Sequence, residues 1–378
     1  MDAGSPCRAP EQLGKRNVEH TLVLAQTGKF AAWPANNGIW HFGDAEILVG
    51  HSVSDYIEKK GHNGVNPFQH GLSRSLDGGT TWSRESPAPF LDDSAPEDSA
   101  DGIDFSHPGL ALRLIGNGYP SNEVNFPRGG YLLSYDRGQS WSGLRSLGSL
   151  PDHPAFAGRN FSTRTNYLIS GKSCVLFVSS RVQSDDKAVL WGTEKVACIR
   201  TRDGRDFEFL GWVVPPSDPF RATMPAAVQL PDGTLFVAAR RRELPADAST
   251  GANFDPCWID GYRSGDGGTT WAFAGRIADT GRWNGNPPAL ALTADGRLCC
   301  VYGNRDRATI EAVFSADSGS TWSAPTMLRD DYHRDSFGDP DLGYPRLVAN
   351  SDGTLVAVYY WATSSHPHHH IAATRWRP

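Results

Sequence analysis

The stretch SRSLDGGTTW, residues 73–82, decides the fold. It has the composition of a tight turn between strands, and the same motif recurs along the chain. The shared pattern is S-x-D-x-G-x-T/S-W, and its further copies are SYDRGQSW (134–141), SGDGGTTW (264–271) and SADSGSTW (315–322). A degraded copy, TRDGRDF, places Phe207 near the tryptophan position. The copies start at residues 75, 134, 201, 264 and 315, which are 59, 67, 63 and 51 residues apart. The chain is therefore an array of similar units.

A second repeat runs out of phase with the first and places a glycine turn before an apolar strand. Its copies are GDAEILVGH (43–51), LALRLIGNG (110–118), SGKSCVLFVSS (170–180), PDGTLFVAAR (231–240), ADGRLCCVYGN (294–304) and SDGTLVAVYY (351–360). Six strand starts in units of this size predict an all-β fold, a six-bladed β-propeller of four-stranded antiparallel blades. Because the sixth unit has no turn pattern after it, we expect its outer strand to come from HTLVLAQ (20–26).

The turn pattern has a structural explanation at each of its fixed positions. The Ser and Asp side chains can accept hydrogen bonds from turn amides, and the glycine supplies a backbone shape that other residues resist. The tryptophan would bury a large apolar face between sheets. We therefore predict that the aspartates of the turns, Asp77, Asp136, Asp266 and Asp317, build the scaffold and are not catalytic.

Composition limits the partners that can be expected. The 378 residues carry a net charge of -6 and no Lys/Arg-rich run, which gives no reason to expect a nucleic-acid partner. No apolar run approaches the roughly 18 residues of a membrane helix, so no membrane partner is expected. We expect an N-terminal arm over residues 1–19 and a single propeller domain over 20–378. The sequence does not indicate an oligomeric state.

The N-terminal segment and the cysteines indicate the compartment and the state of the thiols. The first 20 residues lack the apolar core of a signal peptide, which predicts a cytoplasmic protein as the sequence stands, or a secreted or periplasmic one if a leader has been removed. Six cysteines in so long a chain predict buried thiols, with one disulfide between Cys174 and Cys198 left open. No zinc-ligand spacing is present, and the histidine run SSHPHHH (364–370) lacks partners, so neither a metal nor a cofactor is expected.

The repeated turn spelling resembles the Asp-box (BNR) repeats of the sialidase/neuraminidase superfamily over essentially the whole chain from about Gly28. The resemblance implies a sialidase-like propeller. Sialidases of this kind hold the substrate carboxylate with an arginine triad, and they use a tyrosine nucleophile backed by a glutamate and an aspartate acid/base. The superfamily also contains other glycosidases, lyases and binding proteins, so the resemblance defines the fold better than the activity.

Three site positions of the family have counterparts here. DGTLFVAARRR resembles the fourth-blade strand that ends in a triad arginine, which implies Arg240. YGNRDRATIEAVFSADSG places Arg305 or Arg307 near the next triad position, with Arg307 in better register. GYPRLVANSDGTLVAVYY resembles the stretch that opens with the nucleophile, which implies Tyr344.

Other positions depart from the family pattern. Ala32 stands where the first-blade arginine belongs, and His51 replaces a further arginine. The expected glutamate falls at Met224-Pro225, and the sixth-blade carboxylate falls at Tyr360 or Trp361. In the family that carboxylate orients the first-blade arginine, so the loss of both implies that the carboxylate clamp has been rebuilt. The chain therefore resembles a sialidase scaffold more than a true sialidase.

Residues beside the inner strands of a propeller converge at the central channel and are the best site candidates. For substrate binding these are Trp33, Asn37, His51, Arg221, Arg240, Arg305, Arg307 and Arg346. Asp55 is the only aspartate of the first-blade loop that corresponds to the acid/base loop of the family, and Glu58 and His62 are its rivals. Asp339 and Asp341, shortly before Tyr344, could also move protons, or could simply form a turn.

These candidates lead to three hypotheses. The first is an exo-acting glycoside hydrolase that removes a terminal acidic sugar. In it Tyr344 is the nucleophile or a stabilising group, Asp55 or Asp341 is the acid/base, and Arg240 and Arg307 form the anion clamp. The second is a polysaccharide lyase in which His51 or Tyr344 abstracts the proton beside a uronate. The third is a non-catalytic glycan-binding propeller, which the missing glutamate and first-blade arginine would suit.

Overall fold

The computed structural model describes residues 11–12, 18–85, 97, 101–116, 127–185, 189, 192–243, 256–282, 284–338 and 340–378. In these residues the strands form six separate sheets, and within each blade consecutive strands pair antiparallel. The inner strands of blades 3, 4, 5, 6 and 1 contact one another in that order, and the six sheets form the six-bladed β-propeller that the sequence predicted. No helix in this part of the chain is long and apolar enough to cross a lipid bilayer.

The first three blades follow two N-terminal strands, β1 (Glu11–Gln12) and β2 (Val18–Leu24). Blade 1 contains β3 (Lys29–Ala32), helix α1 (Pro34–Asn37), β4 (Ile39–His41), β5 (Ile47–Tyr56), β6 (Gly64–Ser75) and β7 (Ser83–Glu85). Blade 2 contains β8 (Ala111–Ile115), β9 (Gly130–Ser134) and β10 (Arg145–Ser146). Two short 3-10 helices, Leu150–Asp152 and Pro154–Phe156, precede blade 3. Blade 3 contains β11 (Arg159–Phe161), β12 (Tyr167–Ser170), β13 (Ser173–Val182), β14 (Lys195–Thr201) and β15 (Phe207–Val214).

The last three blades repeat the same plan, and the inner strand of each is a single element in place of two short segments. Blade 4 contains β16 (Arg221–Gln229), β17 (Leu235–Arg242), β18 (Cys257–Ser264) and β19 (Ala272–Gly281). Blade 5 contains β20 (Ala289–Leu292), β21 (Leu298–Asn304), β22 (Thr309–Ser315) and β23 (Thr326–Arg329). Blade 6 contains β24 (Gly343–Ala349), β25 (Leu355–Trp361) and β26 (His370–Trp376).

The N-terminal strand β2 closes the ring by pairing with the last strand of the chain. Val18 lies opposite Trp376 and Leu24 lies opposite Ile371 in an antiparallel ladder, so β2 is the outer strand of blade 6. The sequence predicted this exchange over residues 20–26, and the observed strand begins two residues earlier. The short strand β1 also joins a sheet, running parallel to β23 at the edge of blade 5.

The strand register puts the repeated turns and the arginine-rich strand ends on opposite faces of the ring. In blade 4, Leu235 at the start of β17 pairs with Ser264, the first residue of a repeated turn. At the other end of the same strand, Arg242 pairs with Arg221 and Cys257. Because the other blades repeat this arrangement, the turn aspartates lie far from the strand ends that carry the candidate site.

The aspartate of each repeated turn holds the turn together. In blade 1, Asp77 Oδ1 accepts hydrogen bonds from Ser75 Oγ at 2.8 Å and from the Thr81 amide at 2.8 Å, while Thr81 Oγ1 donates to Oδ2 at 2.6 Å. The same bonds recur at Asp136, Asp266 and Asp317. Partial burial opposes ionisation of Asp77, but the hydrogen bonds from Thr81 and Ser75 outweigh it and lower its pKa to about 2.

The glycine at the fifth position of each turn packs against the preceding blade. Gly79 of blade 1 faces Val356 of blade 6, Gly138 of blade 2 faces Leu48 of blade 1, Gly268 of blade 4 faces Cys198 of blade 3, and Gly319 of blade 5 faces Phe236 of blade 4. The turn tryptophans contact the same neighbours, with ring centroids 5.2 Å apart for Trp141 and Trp40 and 6.1 Å apart for Trp322 and Phe236. The repeated turn is thus the joint between consecutive blades.

Five of the cysteines lie in the described part of the chain, and all five are buried free thiols. Cys174 pairs across the sheet with Thr201, whereas Cys198 pairs with Phe177. The two residues are therefore offset along β13 and β14, and the disulfide that the sequence left open does not form. Burial raises the pKa of both thiols well above the ordinary value, which makes them poor nucleophiles.

The turn joint can be tested with two glycine variants of matched backbone. Gly319 (φ 84°) and Gly233 (φ 86°) share a conformation that L-residues rarely adopt. A Cβ on Gly319 would overlap the ring of Phe236, whereas a Cβ on Gly233 would have no atom within 4 Å. We expect Gly233→Ala to lower the free energy of unfolding by about 1–2 kcal/mol through backbone strain. Gly319→Ala should cost about 1–3 kcal/mol more in urea denaturation. Equal losses would contradict a packing role.

Candidate active site

Three strained residues mark the mouth of the central channel. Trp33, Met224 and Tyr344 have φ values of 63°, 50° and 50°, and each immediately precedes a proline. A positive φ is rare for large side chains, and a following proline restricts the backbone further. The three side chains, from blades 1, 4 and 6, lie in one buried cluster. Backbone strain of this kind is concentrated at functional sites, so the cluster is where a site is expected.

Tyr344 lies between two arginines at this mouth. Its hydroxyl accepts a hydrogen bond from Arg240 Nη1 at 3.1 Å, and the guanidinium carbons of Arg240 and Arg305 lie 5.6 and 5.8 Å from its ring centroid. The Tyr344 amide donates to Asn286 Oδ1 at 2.7 Å, which helps to hold the strained backbone. Burial raises the pKa of the phenol, but the charges of Arg240, Arg305 and Arg221 outweigh it and leave the pKa below the ordinary value of 10.

The arginines are held in place by their own partners. Arg240 Nη2 donates to both the carbonyl oxygen and Oδ1 of Asn284. Arg221 forms an ion pair with the buried carboxylate of Glu194, whose oxygen lies 2.6 Å from Arg221 Nη2. Arg240 is also 3.6 Å from the sulfur of Met224, the residue at the position where the family has a glutamate. A thioether cannot take a proton from the Tyr344 hydroxyl, so Met224 cannot act as the base that a glutamate would provide. The positive charges of the arginines stabilise the phenolate form of Tyr344 instead.

A second group of polar side chains surrounds Asp341, which is 3% exposed. Its Oδ1 accepts hydrogen bonds from Tyr360 Oη at 2.5 Å and Arg305 Nη2 at 3.2 Å, and it lies 2.8 Å from His62 Nδ1. Its Oδ2 has no hydrogen-bond partner among the described residues. Burial disfavours the charged carboxylate, but His62, His369 and Arg305 lower its pKa far below the ordinary value. Asp341 is therefore an anion with one oxygen left for another donor.

His62 brings the first-blade loop into contact with this group. Its Nδ1 contacts Asp341, its ring centroid lies 5.1 Å from that of Trp33 in an edge-on arrangement, and its side chain is partly exposed. Its Nε2 makes no hydrogen bond within the part of the chain that the structure describes. A histidine oriented by a buried carboxylate through one nitrogen presents the other nitrogen for proton transfer.

The structure brings together only part of the predicted set. Tyr344, Arg240, Arg305, Arg221, Asp341 and Trp33 converge, and His62 joins them. Arg307 does not, because its guanidinium, 44% exposed, is bound by Glu311 at 2.6 and 2.7 Å. Of the two arginines that the sequence offered, Arg305 is the one that lies over the Tyr344 ring. Asp55 binds Lys29 Nζ at 2.6 Å with its side chain 69% exposed, and its described contacts include none of the convergent residues.

The other candidates lie below or beside the mouth. His51 is fully buried inside blade 1, with Nε2 3.0 Å from Ser73 Oγ, so it cannot reach a sugar. Asn37 accepts a hydrogen bond from Arg113 at 2.8 Å, at the blade 1 side of the channel. Arg346 donates to the carbonyls of Ala35 and Thr165. Asp339 lies outside the described residues.

Sequence reasoning missed Tyr360 as a functional candidate, although it had noted that a family carboxylate is absent there. The Tyr360 hydroxyl accepts from Arg305 at 2.8 Å and donates to Asp341, so it links the arginine to the carboxylate. Glu194 and Asn284, which position Arg221 and Arg240, also escaped notice, because no motif surrounds them. Within the described residues, no three or more His, Cys, Asp or Glu side chains are placed to hold a metal ion, the histidine run included.

Comparison with known proteins adds to this geometry. No family model matches the chain, and no curated protein matches it either. Among solved structures, it is similar to a protein of unknown function from Dyadobacter fermentans DSM 18053, with a TM-score of 0.68 and 19% identity over 96% of this chain and 98% of that one. It is also similar to the GH93 alpha-L-arabinofuranosidase of Fusarium graminearum, with a TM-score of 0.58 and 14% identity over 95% and 97%.

A third similar structure is the Hadza microbial sialidase Hz136, with a TM-score of 0.58 and 15% identity over 92% of this chain and 66% of that one. Structures with the same fold therefore include glycoside hydrolases that act on different sugars. At these identities the likeness shows the fold alone, a six-bladed propeller like that of sialidases. Any activity has to be argued from the residues at the mouth.

Burial of His51 predicts a specific acid sensitivity. Burial, with a smaller effect of Arg84, lowers its pKa from 6.5 to about 3. Between pH 6.5 and about pH 3, His51 is protonated in the unfolded chain but neutral in the folded protein. As the pH falls through this range, His51 therefore lowers the free energy of unfolding by up to about 1.4 kcal/mol per pH unit. His51→Gln should flatten the dependence of urea-unfolding free energy on pH over that window. The exposed His333→Gln should not, and an unchanged slope in His51→Gln would contradict the assignment.

Proposed function

We propose that the protein is an exo-acting glycoside hydrolase that releases a terminal acidic sugar from a glycan. The observation that carries the proposal is the Tyr344 hydroxyl held by Arg240, with Arg305 on the same ring and Asp341 and His62 beside it. A phenol suits an acidic sugar, because it approaches a centre that bears a carboxylate with less repulsion than a carboxylate nucleophile would. The glycoside hydrolases among the similar structures support the reaction class.

The depth and charge of the site support this substrate class. Tyr344 is 4% exposed and Asp341 is 3% exposed, and side chains buried this deeply are easier to reach for the end of a glycan chain than for its interior. Three arginines, Arg221, Arg240 and Arg305, lower the pKa of Tyr344 and so place positive charge around it. A guanidinium can bind a carboxylate through two parallel hydrogen bonds. These charges therefore favour a sugar acid over a neutral sugar.

The proposed reaction uses Tyr344 as nucleophile and His62 as acid/base. The Tyr344 phenolate attacks the anomeric carbon, the bond to the leaving oxygen breaks, and His62 gives its Nε2 proton to that oxygen. In the second step His62 takes a proton from water as the water attacks the anomeric carbon, and Tyr344 leaves as phenolate. Arg240 stabilises the phenolate in both steps through the hydrogen bond to Tyr344 Oη.

We favour His62 over Asp55 because of what each contacts. Asp55 forms an exposed ion pair with Lys29, whereas His62 contacts Asp341 and the ring of Trp33. In this arrangement Asp341 is a positioning residue, since it holds His62 through Nδ1 and also binds Arg305 and Tyr360. A buried carboxylate of this kind fixes the tautomer of the histidine and stabilises its protonated form.

Aryl glycosides of sialic acid, related ulosonic acids, hexuronic acids and α-L-arabinofuranose test the function. We expect an acidic glycoside to be cleaved and Tyr344→Phe to lower kcat/KM by about 10³-fold, because the nucleophile is lost. Tyr359→Phe is the matched control, since the Tyr359 hydroxyl contacts Thr374 inside the same blade. An unsaturated uronate product would indicate a lyase, and binding on a glycan array without turnover would indicate a binding protein. Either outcome would overturn the proposal.

The leaving group distinguishes the acid from the other site residues. His62→Ala should slow the cleavage of a glycoside with a poorly acidic alcohol by about 10²–10⁴-fold, because that alcohol needs a proton to depart. The 4-nitrophenyl glycoside of the same sugar should be affected much less, since nitrophenolate leaves unaided. Asp55→Ala serves as the comparison variant and should show no such dependence. A leaving-group effect in Asp55→Ala and none in His62→Ala would reverse the assignment.

A further inference from the structure

A cavity of about 370 Å³ lies on the propeller axis, lined by the inner strands of all six blades. Each blade contributes an apolar residue to its wall, namely Ile39, Leu110, Tyr167, Ala227, Leu290 and Leu347. Val348 of the apolar cluster below Tyr344 lines the cavity, but none of the polar side chains at the mouth does, namely Tyr344, Arg221, Arg240, Arg305, Asp341 and His62. The inner strands run from the Tyr344 mouth towards this cavity, which includes the exposed Ile169 near its rim. It is therefore a separate chamber that opens on the face of the repeated turns.

One arginine lines this chamber, whose wall combines apolar residues with the polar residues His41, Thr165 and Asn166. The Arg346 side chain is 8% exposed, and its Nη2 donates to the carbonyl oxygens of Ala35 and Thr165. Among the described residues its Nε has no hydrogen-bond partner, and no carboxylate there forms an ion pair with its guanidinium. The side-chain oxygen of Asn166, which also lines the chamber, has no partner in the described part of the chain.

A buried cation without a carboxylate is costly, because the desolvation of a charge is compensated only by a counter-charge or by full hydrogen bonding. Two carbonyl oxygens satisfy one end of the guanidinium. Burial lowers the pKa of Arg346 to about 10, so the group is still a cation at neutral pH. A ligand that carried an anionic oxygen would complete its coordination, while the apolar walls would contact an apolar body. The chamber is also within the usual size range of small-molecule sites, about 300–1,000 Å³.

We propose that the axial chamber is a second ligand site, which binds a small organic carboxylate through Arg346. The carboxylate contacts the guanidinium at the inner end, and the aromatic or aliphatic body of the ligand lies against the ring of apolar residues. This site is independent of the glycosidase proposal, since none of the polar side chains at the Tyr344 mouth lines it.

Fluorine NMR with 4-fluorobenzoate and its neutral analogue 4-fluorobenzamide tests the site. We expect saturable binding of the benzoate to the full-length protein and binding of the benzamide that is weaker by about tenfold or more, because only the benzoate offers a charge-assisted pair. Arg346→Met should weaken the benzoate to the level of the benzamide. Ala227→Leu should reduce the affinity for both probes, because it fills the chamber without changing the charge.

Controls keep the result interpretable if one variant folds poorly. Arg128→Gln removes an exposed arginine that pairs with Asp152 on blade 2, and it should bind the benzoate as the wild type does. Ala227→Leu leaves Arg346 and its carbonyl partners unchanged, so it tests the location even if Arg346→Met is unstable. Equal affinities for the two probes, no effect of Ala227→Leu, or no saturable binding of the benzoate up to ~10 mM would each overturn the proposal.

Discussion

The structure depends on the contact between each repeated turn and the blade before it. A propeller has no central core, so every sheet must be held against two neighbours, and here one turn supplies that contact repeatedly. The aspartate closes the turn, and the glycine with positive φ lets its backbone approach the adjacent sheet more closely than any side chain would allow. The aromatic residue of the turn then packs over the junction of the two blades, as Trp322 of blade 5 packs on Phe236 of blade 4. The chemistry of the protein can differ from that of its structural relatives because this joint lies on the opposite face.

The separation of the turn joints from the face that carries the site also explains how the backbone strain at the mouth is tolerated. Trp33, Met224 and Tyr344 each interrupt an inner strand, and pairing resumes beyond each interruption, as at Ala226 and Arg346. The cost of three unusual backbone conformations is offset by the regular sheets below them, which the turn joints hold in place. Tyr344 therefore meets Arg240 and Arg305 on backbone that the regular strands of blades 4 and 6 support.

Much of the fold could be predicted from the sequence, because its determinants are local and repeated. The turn spelling, the strand repeat and even the N-terminal strand of blade 6 follow from spacing alone. Tyr344 and Arg240 were predicted from the resemblance to the sialidase superfamily, which could be followed residue by residue because both lie in regular strands. The sequence did not show whether Arg305 or Arg307 faces the axis. That choice depends on the turn after β21, which has φ 56° at Ala308, and Glu311 binds the guanidinium of Arg307. His62 could not be preferred to Asp55, since its contact with Asp341 joins residues 279 positions apart.

Closure of the ring by β2 has a consequence for how the chain is made. His20 and Thr374, 354 positions apart, are joined by a side-chain hydrogen bond of 2.9 Å in the last sheet. Because β26 is the strand that β2 pairs with in this sheet, β2 must wait without a sheet partner until β26 has emerged from the ribosome. Because contacts between such distant residues carry a large entropic cost, closure of the ring should be a late and slow event. The nascent chain therefore exposes an unpaired strand until β26 is available, a period in which chaperone protection matters most.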